Sequence, residues 1–327
     1  MCAAKRIKTV APKENMIQTP ADVLSVRNAK TPITIAAEIP AIIGSKFFFI
    51  FIYIFFLIKL YTIMENKKPY NLLKNLPSKI NIFYKKKLRL GLIIKNKSKN
   101  LKNFDPVTNL DKAFEKYLRL IISKKFPKDS IIGEEFENKT LSKDLKWFID
   151  PIDGTKAFVI GVPTWSNLIG FSFKGKPIYG LANFPELNRH YINDRKKSYL
   201  YKSGKKSILK SSGNYDLNKI KIIGNFHKTL NSEKQKIINK KFRWRFRSTS
   251  LDALSYCLLA EGKVDAVIEA NLKPHDILPL IPIIQNSRAI VTSWDNKSAE
   301  NGGNILASSN RKLHNKILKL LKPLVKK

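Results

Sequence analysis

Cysteine is nearly absent from this chain. Of 327 residues only Cys2 and Cys257 are cysteines, too few for a disulfide framework, so the chain reads as a cytoplasmic protein. Cys257 sits in the apolar run Tyr256-Cys257-Leu258-Leu259-Ala260, where a free thiol packs like a small hydrophobe. Zinc-type Cys/His spacings are missing, as are the glycine-rich turns of a dinucleotide-binding fold and internal repeats. Acidic residues are scarce: 25 Asp and Glu stand against 61 Lys and Arg, a formal charge of +36. Such an excess invites a nucleic-acid reading. The basic residues, however, are mostly Lys, are scattered along the chain with abundant Ile and Asn, and form no Arg-aromatic stripes. Charge of that kind supplies only non-specific affinity, so nucleic acid is not the expected partner. Its expected effect is to draw in an anionic substrate.

What is present divides at residue 63. Residues 1–45 hold eight alanines, and the far longer stretch 64–327 holds ten. Phe47 to Ile58 is an unbroken apolar run, continuing past Lys59 to Ile63, at the short edge of a membrane span. No cleavage site of a signal peptide follows it. The segment 1–63 is read as a dispensable leader or a mis-assigned start ahead of Met64. The alternative is a membrane anchor at 47–63, for which the lysines from Lys67 to Lys87 favour a cytoplasmic catalytic domain.

From 64 to 327 helices and strands interleave. Asp111 to Lys125 carries apolar residues at helical spacing. Ser130–Gly133 and Trp147–Ile149 are short apolar strands, and Thr164–Phe173 with Pro177–Leu181 form a strand pair around Lys174-Gly175-Lys176. Leu251–Glu261 reads as a helix, Val264–Glu269 as a strand, Asp276–Asn286 as an apolar helix and Ala289–Thr292 as a strand.

Three acidic clusters stand beside these apolar segments: Gly133-Glu134-Glu135, Asp150-Pro151-Ile152-Asp153-Gly154-Thr155, and Lys273-Pro274-His275-Asp276. In the hexapeptide a proline fixes the turn after the first carboxylate, so two carboxylates three residues apart can face one space. Gly154 permits a sharp bend, and Thr155 can cap a following helix whose free N–H groups favour phosphate. Carboxylates gathered without a Lys or Arg between them repel one another. Hard cations with oxygen ligands relieve that repulsion, and Mg²⁺ held partly through a substrate phosphate fits. The matching chemistry is hydrolysis, one metal activating water and a second polarising the phosphate.

Trp147-Phe-Ile-Asp-Pro-Ile-Asp-Gly-Thr155 resembles the signature of the inositol-monophosphatase superfamily, and Asp276-Ile-Leu-Pro-Leu-Ile-Pro resembles its second signature. The resemblance runs from about Tyr84 to Ser309. It implies an α/β (α+β) fold, a layered α-β-α-β-α sandwich, assembled as a homodimer and using two or three Mg²⁺ ions. By resemblance Glu134, Asp150, Asp153 and Asp276 are side-chain metal ligands and Ile152 offers its carbonyl. Thr155 helps Glu134 orient the attacking water, and Asp111 lies near a weakly held metal. Asp153, Gly154 and Thr155 meet the substrate, and Glu269 bonds its hydroxyls or amine.

Phe104-Asp-Pro-Val-Thr108, Gly154-Thr-Lys-Ala-Phe158, Gly161-Val-Pro-Thr-Trp165 and Leu272-Lys-Pro-His-Asp276 resemble the histidinol-phosphatase branch. Asp252 matches that branch as the acid that meets a cationic amine; the competing reading is a helix N-terminal residue favoured by the macrodipole. Two departures stand out: Ser250-Leu251 replaces paired glycines ahead of Asp252, and Arg288-Ala289 replaces Gly-Gly after the helix starting at Asp276. The function implied is Mg²⁺-dependent hydrolysis of histidinol phosphate, with inositol monophosphate or another sugar phosphate as the alternative. A rival of another class is an inactive phosphatase scaffold that binds a membrane or nucleic acid. His275 is expected to pack, and Trp165 to fill core or pocket wall.

Overall fold

The protein is described by a computed structural model over residues 45–97, 106–225, 231–241 and 246–325, with side chains described over 67–97, 106–224, 231–236 and 249–321. Expectations placed on residues 1–44, on the side chains of 45–66, and on Phe104 and Asp105 lie outside these residues. Two compact units divide the chain, Met1–Ile63 and Met64–Lys327. The second is built as follows.

Helix α1 (Ser45–Leu88) belongs to the second unit from Met64 on; this part contains Pro69 and Pro77 and buries Leu72, Leu73, Leu76, Ile80 and Tyr84, a stripe at helical spacing. Strands β1 (Ile94–Asn96) and β2 (Pro106–Thr108) pair antiparallel and lead into α2 (Asn109–Lys125). Thr108 caps α2 by accepting from the N–H groups of Leu110 and Asp111, while the Asp111 carboxylate accepts from Thr108, a reciprocal capping box. Leu110, Phe114, Leu118 and Ile122 are buried at intervals of four, which turns one face of α2 to the core.

A seven-stranded sheet runs in chain order: β3 (Ser130–Gly133), β4 (Leu145–Asp153), β5 (Ser166–Phe173), β6 (Lys176–Phe184), β7 (Arg189–Asn193), β8 (Ser198–Lys202) and β9 (Lys205–Ile208). Only β3 and β4 pair parallel within it; the remaining neighbours pair antiparallel. The short helix α3 (Thr155–Val159) follows β4. A five-stranded sheet has the order β11 (Phe246–Ser248), β10 (Lys221–Asn225), β12 (Ala266–Leu272), β14 (Gly303–Ser308), β13 (Ile290–Ser293). Helices α4 (Ser232–Lys241), α5 (Ala253–Ala260), α6 (Pro274–Ile277), α7 (Ile281–Asn286) and α8 (Arg311–Val325) complete the unit.

Alternation along the strands explains the layering. Ile131, Trp147, Ile149, Ile169, Leu181 and Ile192 face α1 and α2. Their neighbours Leu168, Ala182 and Tyr191 face the other way, packing with Leu254 and Ile281 of α5 and α7 and with Val267, Ile305 and Ala307 of the second sheet. On that sheet's far face Ile222, Ala266, Ile268 and Leu306 meet Leu313 and Ile317 of α8. The layers are helix, sheet, helix, sheet, helix, the sandwich the resemblance implied.

The helix expected over Asp276–Asn286 is two helices instead, α6 and α7. Pro279 and Pro282 lack the N–H groups that would continue it. Pro279 is wedged against β5 and β6: a Cβ on Gly180 would come 1.7 Å from the Pro279 carbonyl oxygen, and one on Gly170 3.0 Å from its Cα.

Among the described residues no helix is long and apolar enough to cross a membrane. That statement does not extend to the side chains of the 47–63 run.

Candidate active site

A cavity of about 290 Å³ opens where β3, β4, β12, α5 and α6 converge, and Glu134, Asp150, Ile152, Asp153, Gly154, Thr155, Asp252, Glu269 and Asp276 all line it. Every sequence-assigned residue but Asp111 is therefore brought to one cavity. Parallel pairing of β3 with β4 ends at Gly133 opposite Ile149, which sets Glu134 beside Asp150. The register of β4 against β5 breaks between Asp150 and Asp153. That irregularity places both carboxylates on the cavity instead of on opposite faces of the sheet.

Gly154 has φ +80 and a Cβ there would lie 2.7 Å from Asp252 Oδ2. Gly154→Ala is expected to cost about 1–3 kcal/mol through the left-handed backbone and this collision, read as a lower melting temperature; an unchanged one would contradict the geometry. Thr155 differs from expectation. It caps nothing, since Gly154 is the N-cap and α3 has no side-chain cap; its Oγ1 donates to the Ile152 carbonyl at 3.0 Å.

Burial is the main cause that pushes the Asp150 carboxyl well above the usual carboxylate range, and Glu134, Asp153, Asp276 and Asp111 add to it in that order. Asp153 is raised likewise by burial and then by Asp252, against the opposing N–H of Ala253 at 2.8 Å. Asp276 is raised by burial although His275 and the Lys273 N–H oppose. His275 does more than pack: its Nε2 lies 3.3 Å from Asp276 Oδ1. Asp111 is buried outside the cavity lining, spends Oδ2 on the Thr108 N–H at 2.7 Å, and leaves Oδ1 without a hydrogen-bond partner.

Burial also lifts Glu269 to about 7, with the Ser250 hydroxyl opposing and Asp252 reinforcing. A carboxyl held above its unfolded value stabilises the fold at low pH, and that contribution is lost as pH rises through about 7. In chelator, wild type should therefore lose stability relative to Glu269→Gln between pH 5 and pH 8, by up to about 3 kcal/mol. Parallel melting curves across that range would show the expected divergence, or its absence.

Other residues reach the site without a sequence pattern that assigns them a role there. Lys97 donates to Glu134 at 2.8 Å and also to Glu135, but one lysine among so many is indistinguishable by pattern. Lys156, Ser250 and Tyr256 line the cavity. Tyr256 lies one helical turn after Asp252, a spacing that could have flagged it. Trp165 is buried in core against Tyr84 and Phe158.

Among the described residues no three His, Cys, Asp or Glu side chains are set to hold one metal ion; Lys97 takes Glu134, and backbone N–H groups take Asp153 and Asp276. The donor chemistry nevertheless suits a hard cation. The set is all oxygen, its acidic neighbours add to burial in raising Asp150, and Asp150 Oδ1 is buried with no hydrogen-bond partner.

Known proteins place this geometry. The sequence model described as "Inositol monophosphatase family" matches residues 75–326. The chain is 31% identical over 233 residues to the chloroplastic bifunctional phosphatase IMPL2 of Arabidopsis thaliana, covering 67% of this chain and 66% of that protein. It is 31% identical over 221 residues to a histidinol-phosphatase of Mycobacterium tuberculosis, covering 65% and 83%. The fold matches the crystal structure of an IMPase/NADP phosphatase complexed with Mg²⁺ and phosphate, with TM-score 0.68 at 20% identity over 79% of this chain and 96% of that one. The chain belongs to the inositol monophosphatase family, and with it to the phosphoric monoester hydrolases.

Proposed function

We propose that this chain hydrolyses histidinol phosphate to histidinol and phosphate with Mg²⁺ as cofactor. The observation that carries the substrate is Asp252. It stands on the cavity wall with Glu269 and Asp153, and its backbone has φ 50 and ψ −136 at the second position of the turn closed by Leu254 N–H to Leu251 O at 3.1 Å. That conformation is the default of glycine, and the side chain makes no capping bond. A strained, half-buried carboxylate facing a cavity without a capping bond suits recognition of a cation. The M. tuberculosis relative, named a histidinol-phosphatase, supports the same substrate.

Glu134, Asp150, Asp153 and Asp276, with the Ile152 carbonyl, would hold Mg²⁺. When bound, the metal supplies Lewis-acid polarisation of phosphate oxygens and an acidified water. The chain's own groups do the rest. Thr155, anchored on Ile152, and Glu134 orient the attacking water; Asp252 and Glu269 fix the amine end so that the ester phosphorus lies toward Asp150 and Asp153. The water oxygen bonds to phosphorus as the P–O ester bond breaks, and the proton the water loses goes to the leaving oxygen, so histidinol departs as the neutral alcohol beside inorganic phosphate. Binding a cation at Glu134 requires Lys97 to release it. Assembly as a homodimer belongs to the same reading and is checked by sedimentation.

The test is kcat/KM for histidinol phosphate and inositol 1-phosphate side by side. Preference for histidinol phosphate is expected. Preference for the inositol ester would keep the chemistry and overturn the substrate.

A further inference from the structure

Glu115 is a fully buried carboxylate outside the cavity, one helical turn after Asp111 on α2. Its Oε2 accepts the Glu135 N–H at 2.7 Å and its Oε1 the Phe136 N–H at 3.3 Å. Arg119, one turn further, donates Nε to Glu115 at 2.7 Å and Nη2 to the Phe136 carbonyl at 3.1 Å, with its guanidinium over the Phe136 ring. The pair thus grips both the N–H and the C=O groups of the segment that follows Glu134.

On the other side of Glu134, the carboxylate lies flat against Gly133: a Cβ there would come 2.0 Å from Glu115 Oε1. The backbone on either side of residue 134 is thus held by Glu115, while the Glu134 side chain, bonded to Lys97 at 2.8 Å, lines the cavity with Asp150. Loop backbone carrying a functional side chain is otherwise the most adaptable part of a fold. A charge-assisted anchor of this kind removes that freedom.

We infer that Glu115, locked by Arg119, is a positioning residue that fixes the Glu134 carboxylate for cation binding. The inference rests on the metal-dependent reading above. Glu115 touches neither substrate nor the reacting atoms; it acts through the backbone of Glu135 and Phe136. Gly133 is required because the carboxylate occupies the space of a side chain.

The test is calorimetric titration of Mg²⁺ into the full chain, with the Mg²⁺ dependence of phosphate release measured alongside. Glu115→Gln removes the charge that holds Arg119, and Glu115→Asp keeps the charge but shortens the reach. Both are expected to weaken Mg²⁺ binding by about 10- to 100-fold, the range for outer partners of metal ligands, with KM at saturating Mg²⁺ within about twofold of wild type. Asp129→Ala, which loses the buried bond from Trp147 Nε1 at 2.9 Å, controls for general destabilisation and should leave Mg²⁺ affinity unchanged. Should both Glu115 variants fail to fold, Arg119→Met, which keeps the two N–H bonds, is expected to shift Mg²⁺ affinity in the same direction by a smaller factor.

An unchanged Mg²⁺ affinity in the folded variants would overturn the inference. So would a shift in Glu115→Gln without one in Glu115→Asp, since charge alone would then suffice. A wild type that neither binds Mg²⁺ nor releases phosphate would sink the functional reading and this inference with it. A wild type that does both, beside variants that match it, sinks the inference alone.

Discussion

Asp150→Asn is expected to lower turnover by on the order of 10³-fold, the upper end of what one preorganised charged group supplies, while raising the stability of the metal-free protein. Asp150 is buried, and its Oδ1 has no hydrogen-bond partner. Burial and then Glu134, Asp153, Asp276 and Asp111 hold its carboxyl above the usual range. A carboxyl raised on folding stabilises at low pH and costs stability once pH exceeds its folded value. Holding this carboxyl ionised therefore costs stability, a cost that a bound cation offsets. An amide of the same shape removes the repulsion and can donate to its acidic neighbours, a gain of about 1–3 kcal/mol. Melting in chelator should show a Tm above that of wild type, and added Mg²⁺ should lift wild type more than the variant. Retention of more than about a tenth of wild-type turnover at saturating Mg²⁺ would contradict a metal-ligand role, far above the loss expected for such a group.

Asp252→Gly is expected to separate substrate choice from chemistry. Glycine takes φ 50 and ψ −136 without the strain that aspartate bears there, of order 1–3 kcal/mol, part of which returns as unfolded-chain entropy. Stability should hold or rise slightly. The carboxylate is lost, and with it a buried charge-assisted contact to the substrate amine, typically 2–5 kcal/mol. That corresponds to a fall of roughly 10²–10³-fold in kcat/KM for histidinol phosphate. Inositol 1-phosphate carries no amine, and its turnover should change by less than about threefold, within the scatter of a neutral substitution. Equal losses on both substrates would make Asp252 a general active-site residue and remove its claim to select an amine.

The carboxylates were legible because each chemical residue follows an apolar segment that reads clearly by itself: Ser130–Gly133 before Glu134, Trp147–Ile149 before Asp150. Helix α2 was legible to within two residues, since Leu110, Phe114, Leu118 and Ile122 keep a strict four-residue interval. Helix α1 was not read as a helix: Pro69 and Pro77 punctuate it, and only packing of Leu72 to Tyr84 under the first sheet reveals the buried stripe. The apolar run from Asp276 to Asn286 reads as one helix, whereas Pro279 and Pro282 divide it into α6 and α7. Arg288 has φ 73, so the departure from glycine there leaves a left-handed backbone occupied by a bulky residue. Glu115 and Arg119 have the spacing of an ordinary surface i,i+4 pair, and backbone partners twenty or more residues away leave no mark in the sequence.

Phosphate release by the full chain, in chelator and after Mg²⁺ is restored, tests the central claim most directly. Metal-dependent release in wild type that is lost in Asp150→Asn is the predicted result. Release that persists in chelator, or that survives the loss of Asp150, would contradict it.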